Sequence, residues 1–499
     1  MGEHLDRLKQ RLADVHNLSR ANFVLSWDQQ TYMPPGGARA RAEQMATVAR
    51  LSHELFTSEE TGELLQAVTE EVADLPYESD DASLVRVAQR DYEKSCKIPN
   101  ELVAEMRRHA SLANPIWVQA RKESNFAAFA PCLQRTIDLS RELAEHLGYQ
   151  ERLYDALLDQ FEPGMKASQV QSIFDDLKGE LIPLVQAIAE KAERVDDAVL
   201  HQEFDEGKQE AFGTMVVERF GYDFSRGRLD RTVHPFATPF SRNDARITTR
   251  YEPNFLNPAL FGTMHEAGHA MYEQGVSESL EGTLLARGTS LGFHESQSRM
   301  WENVVGRSLP FWQHFYPQLQ ETFPQLAGTS LETFYGAINK VSPSYIRVEA
   351  DEVTYNLHIM LRFEMEMDLL EGRYPVEDAP EVWNQKMTSY LGLRPPTHAL
   401  GILQDIHWTS RMGYFPTYSL GNILSIQLYD KAVQEQPEIP EQIAQGEFGG
   451  LRGWLTEQVY QHGRKFEPNE LIERATGEPL QTRSYMTYLK NKYNAIYGL

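Results

Sequence analysis

The sequence predicts a mainly α-helical protein that carries one small β-sheet. Residues 1–230 show successive amphipathic helices, with apolar residues three and four positions apart and no competing strand pattern. From residue 231 to residue 251 prolines and β-branched residues replace this pattern, and residues 247–249 indicate a short strand. Helical periodicity resumes at Asn257 and continues to the end of the sequence.

The chain shows no internal repeat, no low-complexity tract and no linker of disordered composition. We therefore expect residues 1–499 to form a single domain rather than separate domains on a string. Within it, residues 1–230 form a helical half, and residues 231–499 form the half that carries the motifs described below.

Composition and charge restrict the possible partners. Hydrophobic residues make up 41% and charged residues 24% of the 499 residues, which is typical of a globular protein. Lys and Arg total 48 against 72 Asp and Glu, so the net charge of −24 repels nucleic acid and anionic membrane surfaces. No apolar run is long enough to span a bilayer.

The N-terminal residues and the cysteines indicate a reducing compartment. Charged residues interrupt the apolar positions of residues 1–18, so the uninterrupted apolar core of a signal peptide is missing. Cys96 and Cys132 are too few for a disulfide framework in a chain of this length. We expect a cytoplasmic protein.

The strongest motif is His265-Glu266-Ala267-Gly268-His269, an H-E-x-x-H sequence typical of zinc hydrolases. Its two histidines are four residues apart and share one face of a helix, so they can bind one metal ion. Asn257 can cap that helix and Gly275 can end it. The alternative is a pair of core histidines that bind backbone carbonyls, which the motif makes less favourable.

A catalytic zinc ion takes three protein ligands and keeps a fourth position for water, so one more ligand is needed. The metzincin arrangement is excluded, because Gly and a third His do not follow His269 at the required spacing. Glu295 is suitable, because Ser290 can cap a second helix that carries it. Spacing leaves other carboxylates as alternatives. They are Glu278, Glu281, Glu302 and Asp351.

The chemistry of such a site follows from the charge of the metal. Zinc lowers the pKa of a water molecule to about 7 and polarises a carbonyl group, which makes a peptide bond open to attack. Glu266 lies beside both ligands without being needed as one, so it can act as general base and then general acid. One or two His or Tyr donors should face the tetrahedral oxyanion.

Six motifs follow one another along the chain. They are His234-Pro235-Phe236, Asp244-Ala245-Arg246-Ile247-Thr248, His265 to His269, His294-Glu295-Ser296-Gln297, Ile346 to Asp351 and Gly401 to Trp408, to which Trp27-Asp28 and Tyr414 to Tyr418 can be added. Together these motifs resemble the Taq-type metallocarboxypeptidase family, over nearly the whole chain. The resemblance implies a helical zincin fold similar to angiotensin-converting enzyme and neurolysin, in which residues 1–230 form a wall or roof of the substrate groove.

The resemblance also implies an activity and a ligand set. It makes Glu295 the third ligand, with His265 and His269, of one zinc ion per chain that cobalt can replace. It further implies a homodimer that releases single C-terminal amino acids from peptides with broad specificity and acts poorly on C-terminal proline.

The same resemblance implies that Arg347 binds the C-terminal carboxylate of the peptide, a group that a planar guanidinium binds in bidentate fashion. Taken alone, Arg347 would be assigned to an ion network on a helix surface, because Glu349, Asp351 and Glu352 are its neighbours in sequence.

The remaining candidates have weaker support. Asp244 and Arg246 match a family motif for substrate binding, and an extended segment there could bind the peptide backbone as an edge strand, although an ordinary ion-paired edge is the alternative. His234 and His407 resemble residues that line the S1′ and oxyanion region, and Tyr418 is the candidate phenol donor. Lone His and Tyr residues beside apolar neighbours are more often structural.

Gln404 and Asp405 are candidates for groups of a second layer that orient the ligands. Two other functions stay open on the sequence alone. They are a zinc oligopeptidase of the neurolysin type, which cleaves internal bonds, and a non-catalytic peptide-binding protein with a structural zinc ion.

Overall fold

The structure, a computed structural model, describes residues 2–499. This part of the chain contains twenty α-helices and three short strands, which confirms the prediction of a mainly helical fold with one small sheet. The helices are, in chain order, α1 (Glu3–Thr31), α2 (Ala38–Phe56), α3 (Glu59–Glu71), α4 (Asp80–Lys97), α5 (Asn100–Lys122), α6 (Phe126–Leu147), α7 (Leu153–Leu158), α8 (Ala167–Ala189), α9 (Glu206–Phe220), α10 (Asn257–Gly275), α11 (Leu291–Arg299), α12 (Leu309–Thr322), α13 (Leu331–Ile338), α14 (Tyr355–Leu370), α15 (Ala379–Leu391), α16 (Pro416–Glu435), α17 (Ile439–Ala444), α18 (Gly449–Gln458), α19 (Pro468–Thr476) and α20 (Arg483–Tyr497).

Backbone contacts divide the chain into two compact units, each assembled from three segments. Unit 1 comprises Met1–Cys96, Asp197–Ile338 and Leu428–Pro479, and unit 2 comprises Lys97–Asp196, Asn339–Gln427 and Leu480–Leu499. The expectation of a single domain with halves at 1–230 and 231–499 stays a prediction, as does the likeness to angiotensin-converting enzyme and neurolysin.

The sheet belongs to unit 1 and has the strand order β1 (Leu229–Arg231), β3 (Asp244–Thr249), β2 (Ala237–Ser241). β1 runs parallel and β2 antiparallel to β3. The predicted strand at residues 247–249 is thus confirmed as part of β3. The idea that this segment is an edge strand is wrong for residues 247–249, because β3 is the central strand and β1 pairs with it there. Residues 244–246 of β3 pair with β2 alone.

Helix α10 passes through the interior of unit 1. Its apolar positions at residues 260, 261, 264, 271 and 272 are all buried, and it ends at Gly275, both as predicted. The prediction that Asn257 caps it is wrong, because the cap position is Leu256 and Asn257 already lies in the first turn. The Pro at the next position, with no N–H to satisfy, suits this early start.

The first helices of unit 1 form an apolar core with the segment that follows α10. Leucine and valine side chains of α1, α3 and α4 contact Val276, Leu280, Leu285 and Ala286, all of which are at most 6% exposed. The link from α10 to α11 is therefore a packed part of the core and not a mobile loop.

Unit 2 is built from pairs of long helices. Helix α5 packs on α6, and α14 packs on α15, α6 and α8. Almost every side chain of α14 is buried, including the polar Asn356, His358, Arg362 and Glu366. Within residues 2–499 no helix is apolar over a length that would cross a membrane.

Candidate active site

Helix α10 presents His265 and His269 on one face, one turn apart. The centres of their rings are 5.0 Å apart, and each side chain is about one-fifth exposed, at 19% and 20%. The i,i+4 spacing of the motif produces this arrangement, because side chains four residues apart lie one above the other on a helix.

Helix α11 brings Glu295 to the two histidines. Its cap Ser290 accepts a hydrogen bond from the N–H of Phe293 at 3.1 Å, as predicted. The Oε2 atom of Glu295 lies 3.7 Å from the Nε2 atoms of both His265 and His269. In residues 2–499 these three residues alone form a group of donors suited to one metal ion, with ligand atoms within 4.8 Å of one another.

This geometry fits a metal ion. Tetrahedral zinc with donors at about 2.1 Å separates its ligand atoms by about 3.4 Å, close to the observed 3.7 Å. Two imidazoles and one carboxylate are also the ligand set of a catalytic zinc site, which leaves one position for water.

Gly268 allows helices α10 and α11 to approach closely enough for Glu295 to reach the two histidines. A methyl group at Gly268 would lie 2.5 Å from the carbonyl oxygen of Gln297 and 2.7 Å from Cα of Ser298, both in the backbone of α11. Only glycine fits this contact. The small residue inside the motif is thus required by packing, and it sets the distance between Glu295 and the histidines.

Glu302 lies behind His265. Its Oε2 is 2.8 Å from Nδ1 of His265, the ring nitrogen that faces away from Glu295, and Arg299 donates to the same oxygen at 3.1 Å. Burial alone would raise the pKa of Glu302, but Arg299 and His265 outweigh it and lower the pKa to about 2. Glu302 is therefore a carboxylate that orients His265, and not a member of the ligand group.

A similar arrangement supports His269. His294 lies with Nδ1 3.4 Å from Nδ1 of His269, and its Nε2 is 2.6 Å from Glu273 of α10. The pKa of His269 is far below its ordinary value, because burial and the neighbouring His265 disfavour the charged form. A neutral imidazole is the form that binds a metal ion.

Glu266 is 6% exposed and makes no hydrogen bond with any described residue. Burial, which disfavours the charged carboxylate, raises its pKa to about 7, although the charge of His265 opposes the shift. Glu266 thus lies between two ligand residues in the sequence and keeps its oxygens free of protein donors in residues 2–499.

The other carboxylates that spacing left open lie elsewhere. Glu278 is exposed after the end of α10, and Glu281 accepts from the N–H of Arg242 at 3.2 Å. Asp351 accepts hydrogen bonds from three backbone N–H groups of unit 2, those of Ser342, Val353 and Thr354. The geometry therefore favours Glu295, as the family resemblance implied.

Asp244 and Arg246 bind each other at the start of β3. The guanidinium donates to both carboxylate oxygens, at 2.8 and 2.9 Å, and its carbon lies 4.6 Å from the centre of the Trp27 ring. His234 is exposed in the loop between β1 and β2 and makes no hydrogen bond with any residue of 2–499. None of the three is in the donor group.

Unit 2 contains a second cluster of charged residues, which we call the arginine cluster (Arg347, Arg362, Asp405, His407). Arg347 is 6% exposed and donates through Nε and Nη2 to Oδ1 of Asp405, at 3.0 and 2.8 Å. Arg362 binds the other oxygen of Asp405, with Nε at 2.6 Å. The surface ion network considered for Arg347 is therefore wrong, because its partner is a buried carboxylate distant in sequence.

Asp405 and Gln404 hold Arg347 in place. The two guanidinium groups hold the pKa of Asp405 well below its usual range, despite its burial. Gln404 accepts from the backbone N–H of Arg347 at 2.8 Å, and Tyr355 accepts from Nη1 at 3.0 Å.

His407 and Tyr418 adjoin this cluster. The Nε2 of His407 is 3.4 Å from the hydroxyl of Tyr418, and the carbon of the Arg347 guanidinium lies 5.0 Å from the centre of the Tyr418 ring. Burial lowers the pKa of His407 to about 3, with Arg347 acting in the same direction. The ring is thus neutral near pH 7.

Sequence reasoning missed several residues of these clusters. Glu302 was weighed only as a ligand, although its place seven residues after Glu295 puts both on one side of a continuous helix, and Glu273 and Arg299 were not considered. Tyr355 and Arg362, which hold Arg347 and Asp405, have no local sequence signal because their partners are distant in the chain.

Comparison with known proteins identifies the family of the chain. Residues 7–493 match the family described as Carboxypeptidase Taq (M32) metallopeptidase. The chain belongs to this family. It is 41% identical to carboxypeptidase 1 of Bacillus subtilis, over 100% of the chain and 98% of that protein. It is 42% identical to thermostable carboxypeptidase 1 of Thermus thermophilus, over 96% of each.

Solved structures of M32 carboxypeptidases share the fold. The enzyme of Deinococcus radiodurans R1 matches with a TM-score of 0.97 and 41% identity, covering 100% of both chains. Metallocarboxypeptidase 1 of Trypanosoma cruzi matches with a TM-score of 0.94 and 33% identity, over 98% of this chain and 99% of that one. The protein is a metallocarboxypeptidase of the M32 family, and its metal cofactor follows from that membership.

Proposed function

We propose that this protein is a zinc carboxypeptidase that releases single C-terminal amino acids from peptides with broad specificity. The observation that carries the proposal is the convergence of His265, His269 and Glu295, from two helices, with Glu266 beside them. The donor set fits zinc, and cobalt accepts the same ligands.

A zinc ion held by His265, His269 and Glu295 would lower the pKa of water and polarise a carbonyl group. The free carboxylate of Glu266 would take up the proton of the attacking water and deliver it to the leaving amine. Glu302 holds Nδ1 of His265, which leaves Nε2 as the ligand atom on the side of Glu295.

Arg347 is the proposed anchor for the C-terminal carboxylate of the substrate. Of its five N–H groups, three bind Asp405 and Tyr355, so two are left for an anion. Asp405 is shared with Arg362, and the group as a whole keeps one positive charge. An anion is therefore the ligand that this cluster attracts.

The neighbouring residues complete the proposal. Tyr418 and His407 are hydrogen-bonded to each other and are the proposed donors to the oxyanion, while His234, Asp244 and Arg246 are the proposed contacts to the rest of the peptide. The family resemblance supports these roles, as well as poor activity on C-terminal proline and a homodimer. The net charge of −24 supports a protein without nucleic acid or membrane partners. The two free cysteines support the proposed cytoplasmic location.

Mass spectrometry of a peptide mixture tests the reaction. Each peptide is incubated with the zinc-loaded enzyme, with a free and with an amidated C-terminus, and metal content is measured on the same sample. We expect ladders shortened from the C-terminus for the free peptides and little cleavage of the amides. Equal internal cleavage of both would indicate an oligopeptidase, and zinc without cleavage of any peptide would indicate a binding protein.

A further inference from the structure

The segment between α10 and α11 is held rigidly at three backbone positions. Arg20 of α1 donates to the carbonyl oxygen of Ala286 at 3.1 Å, and the N–H of Arg464 donates to the carbonyl oxygen of Leu285 at 3.1 Å. The N–H of Gly288 donates to Glu273 at 3.0 Å. Fixed backbone on both sides leaves residue 287 little freedom.

Arg287 is the exposed residue of this fixed segment. The two residues before it and the two after it are buried, whereas the Arg287 side chain is exposed. Its guanidinium makes no hydrogen bond or ion pair with any residue in the described range 2–499. An arginine on a rigid backbone whose five N–H donors bind no protein group is preorganised to bind an anion.

Two other arginines lie near Arg287. The charge of Arg464, the partial loss of solvent around the side chain and the charge of Arg20 lower the pKa of Arg287 to about 9, and Asp91 and Glu273 oppose this shift only in part. Asp91 is itself engaged by Arg464 through a bidentate pair at 2.8 and 3.1 Å. The charges around Arg287 therefore favour an additional anion.

The segment that carries Arg287 is near the proposed metal ligands. Gly288 binds Glu273, Glu273 binds His294, and His294 contacts His269, with contacts of 3.0, 2.6 and 3.4 Å. A peptide extends by about 3.3 Å per residue, so a chain held at the donors reaches Arg287 within a few residues.

We propose that Arg287 forms a subsite that binds an acidic side chain of the peptide substrate, a few residues from the bond that is cleaved. The proposal rests on the carboxypeptidase function proposed above and adds a preference to an enzyme of broad specificity. A carboxylate is the ligand that the planar, unpaired guanidinium recognises.

A scan of paired peptides tests the subsite. The peptides differ only in Glu or Gln at one position, which is moved one residue at a time away from the C-terminus, and kcat/KM is measured for each. We expect the native enzyme to favour Glu over Gln at one position by roughly tenfold to a hundredfold. Arg287→Gln should bring this ratio to about one and leave kcat/KM for the Gln peptides unchanged, and Arg287→Glu should invert it.

Arg50→Gln is the matched control, because Arg50 is an exposed arginine of α2 whose partner is Glu54. It should keep the ratio of the native enzyme. A ratio of about one at every position in the native enzyme, or an unchanged ratio in Arg287→Gln, would overturn the subsite.

A binding measurement separates this result from a failure of the proposed function. Fluorescence anisotropy of the same labelled peptides with Glu266→Gln reports affinity without turnover, in the presence and absence of Arg287→Gln. If native enzyme loaded with zinc trims no peptide, the proposed function fails. The subsite is still supported by tighter binding of the Glu peptide that depends on Arg287, and is rejected by equal binding.

Discussion

The two charged clusters of this enzyme are built in opposite ways. The donor cluster of unit 1 (the ligand group His265, His269 and Glu295, with Glu302 behind it) lies on two consecutive helices and the helical turn that continues them. The arginine cluster of unit 2 joins residues from two short 3₁₀ segments, a loop and a long helix, and the bond between Arg347 and Asp405 links positions 58 apart in sequence. The first is fixed by helix periodicity, the second by the tertiary fold.

Their charges also differ. Around the donors the carboxylates of Glu295, Glu302 and Glu273 exceed the guanidiniums of Arg299 and Arg307, so the site attracts a cation. In the arginine cluster two guanidiniums share one carboxylate, so the site attracts an anion. The two clusters therefore have local charges of opposite sign, as the proposed metal ion and the proposed substrate carboxylate require.

The largest expected effect concerns Glu266, the group proposed to transfer protons. Glu266→Gln should lower kcat by about 10²–10⁴-fold, because the amide cannot accept the proton of water. Metal content, measured by mass spectrometry of the elements, should stay unchanged because Glu266 is outside the donor group. Glu278→Gln, an exposed position after α10, is the control and should keep kcat. A loss below tenfold in Glu266→Gln would show that another group is the base.

The arginine cluster should control substrate binding and leave metal binding unaffected. Arg347→Gln should lower kcat/KM for peptides with a free C-terminus by roughly 30-fold or more, since a buried charged hydrogen bond is lost. The rate on amidated peptides should change little, so the preference for the free carboxylate disappears. The control is Arg373→Gln, which removes an exposed ion pair. A preference that survives in Arg347→Gln would assign the anchor to another cation.

Glu302→Gln tests whether the second layer of the donor cluster sets metal affinity. The change removes the charge that holds His265, and we expect about 10- to 100-fold weaker zinc binding, measured by competition with a chelator. Arg347→Gln and Glu278→Gln should bind zinc as the native enzyme does. Equal affinity in Glu302→Gln would mean that the contact to Nδ1 is only structural.

Helix packing in the donor cluster can be tested with two glycines of the same helix. Gly268→Ala places a methyl group against the backbone of α11, and we expect a loss of about 1–3 kcal/mol in the free energy of unfolding. Gly262→Ala is the control, since its methyl group meets no atom closer than 4.0 Å. That substitution should be neutral or stabilising, because alanine favours helix. Denaturant unfolding of both variants gives the comparison, and equal stability of the two would contradict the close contact.

This contrast also explains how much could be predicted from the sequence. The helical class, the strand at residues 247–249 and the donor helix follow from local periodicity, and the spacing of His265 and His269 specifies a common face. The central position of β3 could not be predicted, because strand order depends on contacts between distant segments.

The arginine cluster shows more clearly that contacts between distant segments could not be predicted from the sequence. Arg347 has acidic neighbours in sequence, which favoured a surface ion network, yet its partner Asp405 is 58 positions away. Only the family resemblance indicated its role. Arg287 carried no signal at all, because exposure between buried neighbours is a property of the folded segment.

The smallest expected effect comes from the buried histidine of the arginine cluster. The pKa of His407 is about 3 in the folded protein against an ordinary value of 6.5, so below pH 6.5 only the unfolded chain takes up this proton. The contribution of neutral His407 to the free energy of unfolding is complete above pH 6.5 and falls as the pH drops towards 3. At pH 5 this contribution is smaller by about 2 kcal/mol. Since His407→Gln lacks this proton, the stability gap between native enzyme and variant should narrow by that amount between pH 7 and pH 5. Denaturant unfolding at both pH values measures it, with the exposed His146→Gln as control. A gap that is constant with pH would show that His407 is not desolvated, and the burial that distinguishes the arginine cluster would have to be reconsidered.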